Sequence, residues 1–335
     1  MSDVRQATRA KEAHQVSLLA KPNVVGVGVG LRQQAGRILD EVCVVALVRR
    51  KRAADTLAAE ALIPHEVGGI PTDVLEVGDL RAQAARTDRW RPAPGGVSIG
   101  HYQVTAGTLG CIVRDRASRV RLILSNNHVL ANGNEAAVED PILQPGSADG
   151  GREESDTFAL LERFVPIAYS REPATCGVAR LIVDAGNLAA RVIGSKHRLE
   201  TFQQDPGATN RVDAAVARPL VDSDVSDDVL EIGRPSGVAS AVLGMGIRKS
   251  GRTTGLTSGR VTVIEATVDV DYGGKTARFD GQILSGPMSQ GGDSGSLLVT
   301  AAGLQAVGLL FAGSSQTTIY NPIGDVLERL GVDLP

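Results

Sequence analysis

The 335-residue chain carries a net charge of −3, 42% hydrophobic residues and 39 glycines, the composition of a globular protein long enough for two domains. The near-neutral balance lacks the basic stripe that nucleic-acid binding requires, so no nucleic-acid partner is expected. No apolar run reaches membrane-spanning length, so no membrane span is expected either.

Cys43, Cys111 and Cys176 stand far apart and without metal-ligand spacing. An odd, sparse set argues against a disulfide framework and fits a reducing compartment. The opening Met1-Ser2-Asp3-Val4-Arg5-Gln6 lacks a signal-peptide core, which makes the cytoplasm the expected compartment. Many Ala, Arg, Gly and Val with few aromatics match the usage of a GC-rich bacterial genome.

In chain order, Asp3 to Ala20 is predicted as a helix. Val24 to Leu31 and the β-branched run Val42 to Val48 are predicted as strands. Gly26-Val27-Gly28-Val29-Gly30 is a poor dinucleotide fingerprint, because the third glycine is misplaced and no helix pattern follows at once. Asp55 to Ala61 reads as a short helix, and Ile63 to Val77 as a turn and a further strand. Residues 1–80 are therefore expected to form a small α+β domain. Residues 81–96 are expected to be a linker, ending in Arg91-Pro92-Ala93-Pro94-Gly95-Gly96.

From Gly107 short β-rich runs recur between turn signals: Thr108–Val113, Val120–Ser125, Ala214–Ala217, Ala241–Gly246, Arg260–Val270, Gly281–Ser285, Leu297–Val299 and Ala306–Phe311. This pattern predicts a mainly β domain over 97–335, an antiparallel barrel or sandwich. One stretch differs. Val178, Leu181, Ile182, Ala185, Leu188, Ala189, Val192 and Ile193 recur at helical spacing, with Gly194 as a cap and Lys196-His197-Arg198 beyond it. An amphipathic helix is thus inserted at about 171–199. Packing against its own barrel or the N-terminal unit is its expected role, ahead of an oligomer contact and then a membrane-surface role.

The chemistry gathers around Pro287-Met288-Ser289-Gln290-Gly291-Gly292-Asp293-Ser294-Gly295-Ser296, just before the apolar Leu297-Leu298-Val299. A serine between glycines has room for a substrate carbonyl, and nearby backbone N–H groups can turn toward an oxyanion. Read alone, the same window is equally a polar turn before a strand. A nucleophilic serine needs a base and an orienting acid. Of the five histidines, His128 ends an apolar strand, Leu122 to Ser125, at a small polar turn. That suits a base over an open cleft, although alone it also fits a surface turn. Asp213 heads the apolar run Ala214 to Ala217, where a carboxylate becomes partly buried and needs a partner. Asp140, Asp184 and Asp205 compete with it, but none begins a clear strand.

Together His128, Asp213 and Ser294 resemble the trypsin-like (chymotrypsin-fold) serine peptidases in order and spacing. Gly292-Asp293-Ser294-Gly295 is similar to the family's nucleophile motif, Asn127-His128-Val129 to its histidine motif, and Val212-Asp213-Ala214-Ala215 to a variant of its aspartate motif. Lys249-Ser250-Gly251-Arg252-Thr253-Thr254-Gly255 resembles the Gly-x-Thr-Thr-Gly segment of bacterial members. The Gly-x-Ser-x-Gly pattern of the rival hydrolase class fails at Ser296. The Val-Gly-Val-Gly strand, Ile70-Pro71-Thr72-Asp73-Val74, Gly107-Thr108-Leu109-Gly110 and Gln144-Pro145-Gly146 resemble the narrower NARROW LEAF 1-type intracellular peptidases of plants and bacteria.

The resemblance implies a chymotrypsin-like double antiparallel β-barrel with a catalytic triad His128, Asp213 and Ser294. It implies an oxyanion hole from the N–H groups of Gly292 and Ser294, and no metal or cofactor. It places Met288 at the floor of the specificity pocket and Phe311, Ala312 and Gly313 along its wall. An uncharged floor implies an apolar or small P1 residue. It also implies that Lys249 pairs with Asp293, so that no N-terminal cleavage is needed; the alternative is a solvated lysine. The expected partner is a protein or peptide substrate, cut in a targeted rather than digestive way. A catalytically quiet binding or assembly scaffold and an esterase-like acyl hydrolase are the alternatives.

Overall fold

A computed structural model describes residues 2–34, 36–78, 84–104 and 106–335, which divide into two compact units, 1–83 and 84–335. In the first unit, helix Ser2–Leu19 precedes the antiparallel strands Val24–Gln34 and Arg37–Val48. Strand Ile70–Glu76 runs parallel to the second of these, and Glu66–Val67 closes the sheet. Ala10, Leu18, Val44 and Val67 form its core. The Val-Gly alternation is a strand, and a Cβ at Gly26 would lie 3.0 Å from the Leu47 side chain of the next strand. The short helix expected over Asp55 to Ala61 is instead two 3₁₀ turns, Ala54–Thr56 and Ala59–Ala61. Neither turn buries a residue, so no packing extends them into an α-helix.

The linker expected at 81–96 is corrected. Residues 81–83 lie outside the described residues, and 84–96 belong to the second unit. There Ala93–Gly95 is a buried strand parallel to Val225–Val229, and Arg86 hydrogen-bonds Ser250 Oγ at 2.7 Å. Proline and glycine marked a strand end rather than a tether.

The second unit holds two eight-stranded antiparallel sheets. The first orders its strands Val332–Asp333, Cys111–Asp115, Arg121–Ser125, Ala215–Pro219, Thr157–Phe164, Pro141–Leu143, Ser98–His101 and Gly107–Thr108. In the second, Phe202–Gln204 and Arg171–Pro173 flank Thr276–Ser285, followed by Gly255–Asp271, Gly246–Gly251, Leu297–Thr300, Ala306–Gly313 and Thr318–Pro322. Thr318–Pro322 pairs back onto Thr276–Ser285 and closes this sheet into a barrel without free edges there. Alternating inward residues fill the interiors: Ile112, Ile123, Ile142 and Ala215 in the first, Ile247, Val261, Leu298 and Tyr320 in the second. A third cluster, including Leu124, Val216, Leu297 and Leu309, packs the sheets together with helix Ile323–Leu330. The strand expected at Ala241–Gly246 is displaced: residues 241–245 are turn, and the strand is Gly246–Gly251.

The inserted helix is observed as Gly177–Val192, between the short strands Arg171–Pro173 and Phe202–Gln204. Within the second unit, the expectation that it packs on its own barrel is overturned, because it buries no residue. The return segment is tied to the helix through a reciprocal pair, Asn187 Nδ2 to Leu199 O at 3.0 Å and Leu199 N to Asn187 Oδ1 at 2.8 Å.

Candidate active site

The site forms where the two sheets of the second unit meet. Asp213 is completely buried there, just ahead of strand Ala215–Pro219. Its N–H donates to Asn321 Oδ1 at 3.0 Å, from the last barrel strand, and its carbonyl accepts from Asn126 Nδ2 at 2.7 Å. Strand Arg121–Ser125 ends at Asn126, and the helical turn Asn127–Leu130 then carries His128 over the carboxylate. His128 Nδ1 lies 2.6 Å from Asp213 Oδ2, and the His128 N–H donates to Oδ1 at 3.3 Å. The carboxylate thus takes both hydrogen bonds that a single histidine backbone and ring can offer it.

A third donor was not legible in the sequence. Tyr272, at the turn between Gly255–Asp271 and Thr276–Ser285, donates its hydroxyl to Asp213 Oδ2 at 2.8 Å. Its ring stands edge-on to His128, with centroids 5.8 Å apart. Burial, the Asp213 charge and the hydrogen bond to it raise the Tyr272 hydroxyl well above its ordinary value, so it remains a donor. The signal available was a lone tyrosine in a Tyr-Gly-Gly hairpin turn, which specifies a turn and no partner. The competing acid Asp140 is used elsewhere, 3.1 Å from Nε2 of the buried His101.

The nucleophile segment is held on the same seam. Thr108 N donates to Ser294 O at 2.7 Å, and Thr108 Oγ1 to Gly292 O at 2.9 Å. Ser125 Oγ donates to Thr108 O at 2.8 Å. Two glycines permit this. Gly107 has no room for a Cβ, which would lie 2.5 Å from a Val129 methyl and 3.1 Å from Ser294 O. Gly295 sits at φ +95° with its open side against Ser125 Oγ and Thr108 O. The chain beside His128 and the chain of Ser294 therefore meet across Gly107. Ser294 Oγ rests 3.4 Å from the Phe311 carbonyl. Among the described residues, the N–H groups of Gly292 and Ser294 donate no hydrogen bond.

Beside Ser294 opens a cavity of about 410 Å³ lined by Ser289, Gln290, Leu310, Ala312, Gly313, Ser314 and Ser315. Of the four expected pocket residues, Ala312 and Gly313 line it and Met288 and Phe311 do not. Met288 is buried in the barrel core, its sulfur 3.5 Å from the Tyr320 hydroxyl and facing Gly259. Phe311 is buried against Phe279, with centroids 4.7 Å apart. Ser289, one residue beyond Met288, takes the cavity position instead.

Beneath the loop, Lys249 and Asp293 are both fully buried, with Nζ 3.2 Å from Oδ2. Asp293 Oδ1 accepts from the N–H groups of Thr253 and Thr254 at 2.9 and 3.1 Å. Oδ2 accepts from Thr254 Oγ1 at 2.6 Å and Gln290 N at 3.0 Å. Burial pushes the Asp293 carboxyl up, but the Thr254 hydroxyl, the Lys249 charge and the backbone donors overcome it and hold it below the usual range. Burial lowers Lys249, only partly offset by Asp293, because its other partners are just Thr254 Oγ1 and the Gly255 carbonyl. The ionised state is therefore anchored at Asp293, which has the denser set of donors.

No protein-family model matches the chain. Glutamyl endopeptidase 2 of Streptomyces griseus is 30% identical over 174 residues, covering 47% of this chain and 87% of that protein. The chain belongs to the trypsin-like (chymotrypsin-fold) serine proteases. Streptogrisin-A of the same organism is 38% identical over 97 residues, 28% of this chain and 31% of that protein. Serine protease 2 of Streptomyces fradiae is 43% identical over 79 residues, 24% of this chain and 42% of that protein. The chain thus spans less than half of these last two relatives. Among solved structures, the Nocardiopsis protease NAPase is similar with TM-score 0.46 and 17% identity, over 72% of this chain and 97% of that chain. In this chain the cation that meets Asp293, the acid ahead of Ser294, is Lys249.

Lys249→Met is expected to leave a buried carboxylate uncompensated, at a cost of about 3–5 kcal/mol in denaturant unfolding near neutral pH. Asp293 is held low, so its stabilising effect is present above the ordinary carboxyl value of about 3.9 and lost as pH falls through the lower folded value. The deficit of the variant should therefore narrow below about pH 4, where protonation removes the unpaired charge. A deficit independent of pH, or none, contradicts the pairing.

Proposed function

We propose that this protein is a serine endopeptidase acting through His128, Asp213 and Ser294. The observation that supports it most is the 2.6 Å contact between His128 Nδ1 and the buried Asp213 carboxylate, on the seam that also carries Ser294. In this reading the Ser294 hydroxyl attacks the scissile carbonyl while His128 Nε2 accepts its proton. The free N–H groups of Gly292 and Ser294 take the oxyanion. His128 then returns the proton to the leaving amine, and water releases the acyl group by the same route in reverse. Asp213 holds the ring with Nδ1–H toward itself and stabilises the imidazolium. Tyr272 fixes Asp213 in turn and keeps water from the pair.

The specificity reading rests on the cavity beside Ser294. Among the described residues, its lining carries hydroxyls, an amide and apolar groups, and no charged side chain. A lysine or arginine entering it would find no carboxylate, and a glutamate no cation, each an uncompensated charge. This favours a small or apolar P1 residue, and it distinguishes the site from what the name glutamyl endopeptidase describes. A separate α+β unit ahead of the protease unit offers a second surface for choosing substrates, which favours targeted over bulk cleavage.

Fluorophosphonate labelling tests the triad. Wild type should be labelled, Ser294→Ala not at all, and His128→Ala at least a hundredfold more slowly; equal labelling of wild type and Ser294→Ala would sink the assignment. Tyr272→Phe removes one hydrogen bond to a carboxylate, so kcat should fall about tenfold with KM little changed. An unchanged kcat would confine Tyr272 to a packing role. In a P1 peptide library, cleavage should concentrate after small and apolar residues; a clear preference for Arg, Lys or Glu would overturn the pocket reading.

A further inference from the structure

The helix Gly177–Val192 shows one face to solvent that no described residue of the second unit covers. Val178, Leu181, Ile182, Leu188, Val192 and Ile193 are each between 63% and 80% exposed. The chain's own return segment does not compete for this face. Leu199 packs over Gly186 and bonds Asn187, on the flank beyond Ile182 and away from Leu181 and Leu188.

The spacing of the apolar residues specifies what fits. Val178, Leu181, Ala185, Leu188 and Val192 follow one another at alternating steps of three and four, which is the seam of a helix pair. Asp184 and Arg191 both flank that seam on the same side. Neither side chain has a hydrogen-bond or ion-pair partner among the described residues. In an antiparallel pair that layers Ala185 on Leu188 of a second copy, the same register brings Asp184 beside Arg191 of the second copy. The two-fold axis repeats that contact, giving two opposite-charge pairs. A parallel pair would instead set Asp184 beside the hydrophobic flank. Ala185 and Ala189 at the centre let the two backbones approach closely.

The exposed area is of the size required. Each large apolar side chain offers about 100 Å². The face as a whole approaches the roughly 600 Å² per partner of the smaller stable interfaces. We propose that a second copy of this chain occupies this face, forming a two-fold antiparallel helix pair with Leu181 and Leu188 as its apolar centre and Asp184–Arg191 pairs at its rim. The interface is isologous, as a closed dimer requires. The dimer lies at the insertion and does not depend on the catalytic assignment.

Sedimentation velocity on the full chain, over a concentration series from about 1 to 200 μM, tests this. Wild type should pass from monomer to dimer with a micromolar midpoint. Leu181→Glu with Leu188→Glu should remain monomeric throughout, with an unchanged thermal midpoint, since both positions are exposed. Asp184→Arg or Arg191→Asp alone should weaken the dimer about tenfold, and the double exchange Asp184→Arg with Arg191→Asp should restore it. A wild type that stays monomeric overturns the proposal, as does a dimer that survives the two glutamates. Single reversals that weaken the dimer without recovery in the double exchange overturn the antiparallel register. Flotation with phosphatidylglycerol vesicles completes the test: a monomer that floats through this helix assigns the face to a membrane surface and overturns the dimer.

Discussion

One buried carboxylate sets the terms for the rest of the second unit. Asp213 has no contact with water, and an isolated ion there would cost several kcal/mol. It is kept by donors from separate parts of the chain: the His128 ring and N–H, and the Tyr272 hydroxyl. Its own backbone is fixed by Asn126 at the end of one sheet and Asn321 at the end of the other. Both sheets must therefore be complete before the aspartate is satisfied. The fold and the site are one constraint, because the groups that make the carboxylate tolerable are the groups that aim the histidine.

The second buried carboxylate, Asp293, answers a different need. Among the described residues, the N–H groups of Gly292 and Ser294 donate no hydrogen bond, which leaves that loop short of its own restraints. Asp293 supplies the missing restraint by turning inward to the N–H groups of Thr253, Thr254 and Gln290. Lys249 then balances the charge from within the barrel wall, where its strand is bonded on both sides. Every one of these donors belongs to the second unit.

The sequence was most informative where a residue type is nearly irreplaceable. Gly295 can have no side chain against Ser125 and Thr108, and that requirement is written in the Gly-Asp-Ser-Gly motif. Regular short β-runs disclosed the antiparallel sheets, since alternate side chains must face a core. The misses share a cause as well. Met288 and Ser289 are adjacent, so a reading one residue off exchanges a core side chain for a cavity-lining one. Tyr272 is fifty-nine residues from Asp213, and nothing local in a Tyr-Gly-Gly turn announces a distant carboxylate. Residues 84–96 read as a tether because proline and glycine mark strand ends and linkers alike, and only the parallel bridge to Val225–Val229 separates the two. Amphipathic spacing identified the inserted helix but carried no information on what would cover its apolar side.

That helix is tied to the site through the sheet rather than by contact. The strand Arg171–Pro173 ahead of it pairs with Phe202–Gln204 behind it, and Arg171 pairs with Thr276. Ser170 adds two bonds to the Thr276 carbonyl, at 2.8 and 3.0 Å. Thr276 begins the strand that leaves the Tyr272 turn, and Tyr169 packs edge-on to Tyr272 with centroids 6.0 Å apart. The insertion is thus an extension of the hairpin that delivers the hydroxyl to Asp213. A hairpin extended by two further strands has more of its backbone paired than one ending at a bare turn, and so holds its turn residues more firmly. On that argument the insertion earns its place in the chain even before anything binds its helix: it stiffens the one element from which Tyr272 reaches the buried carboxylate.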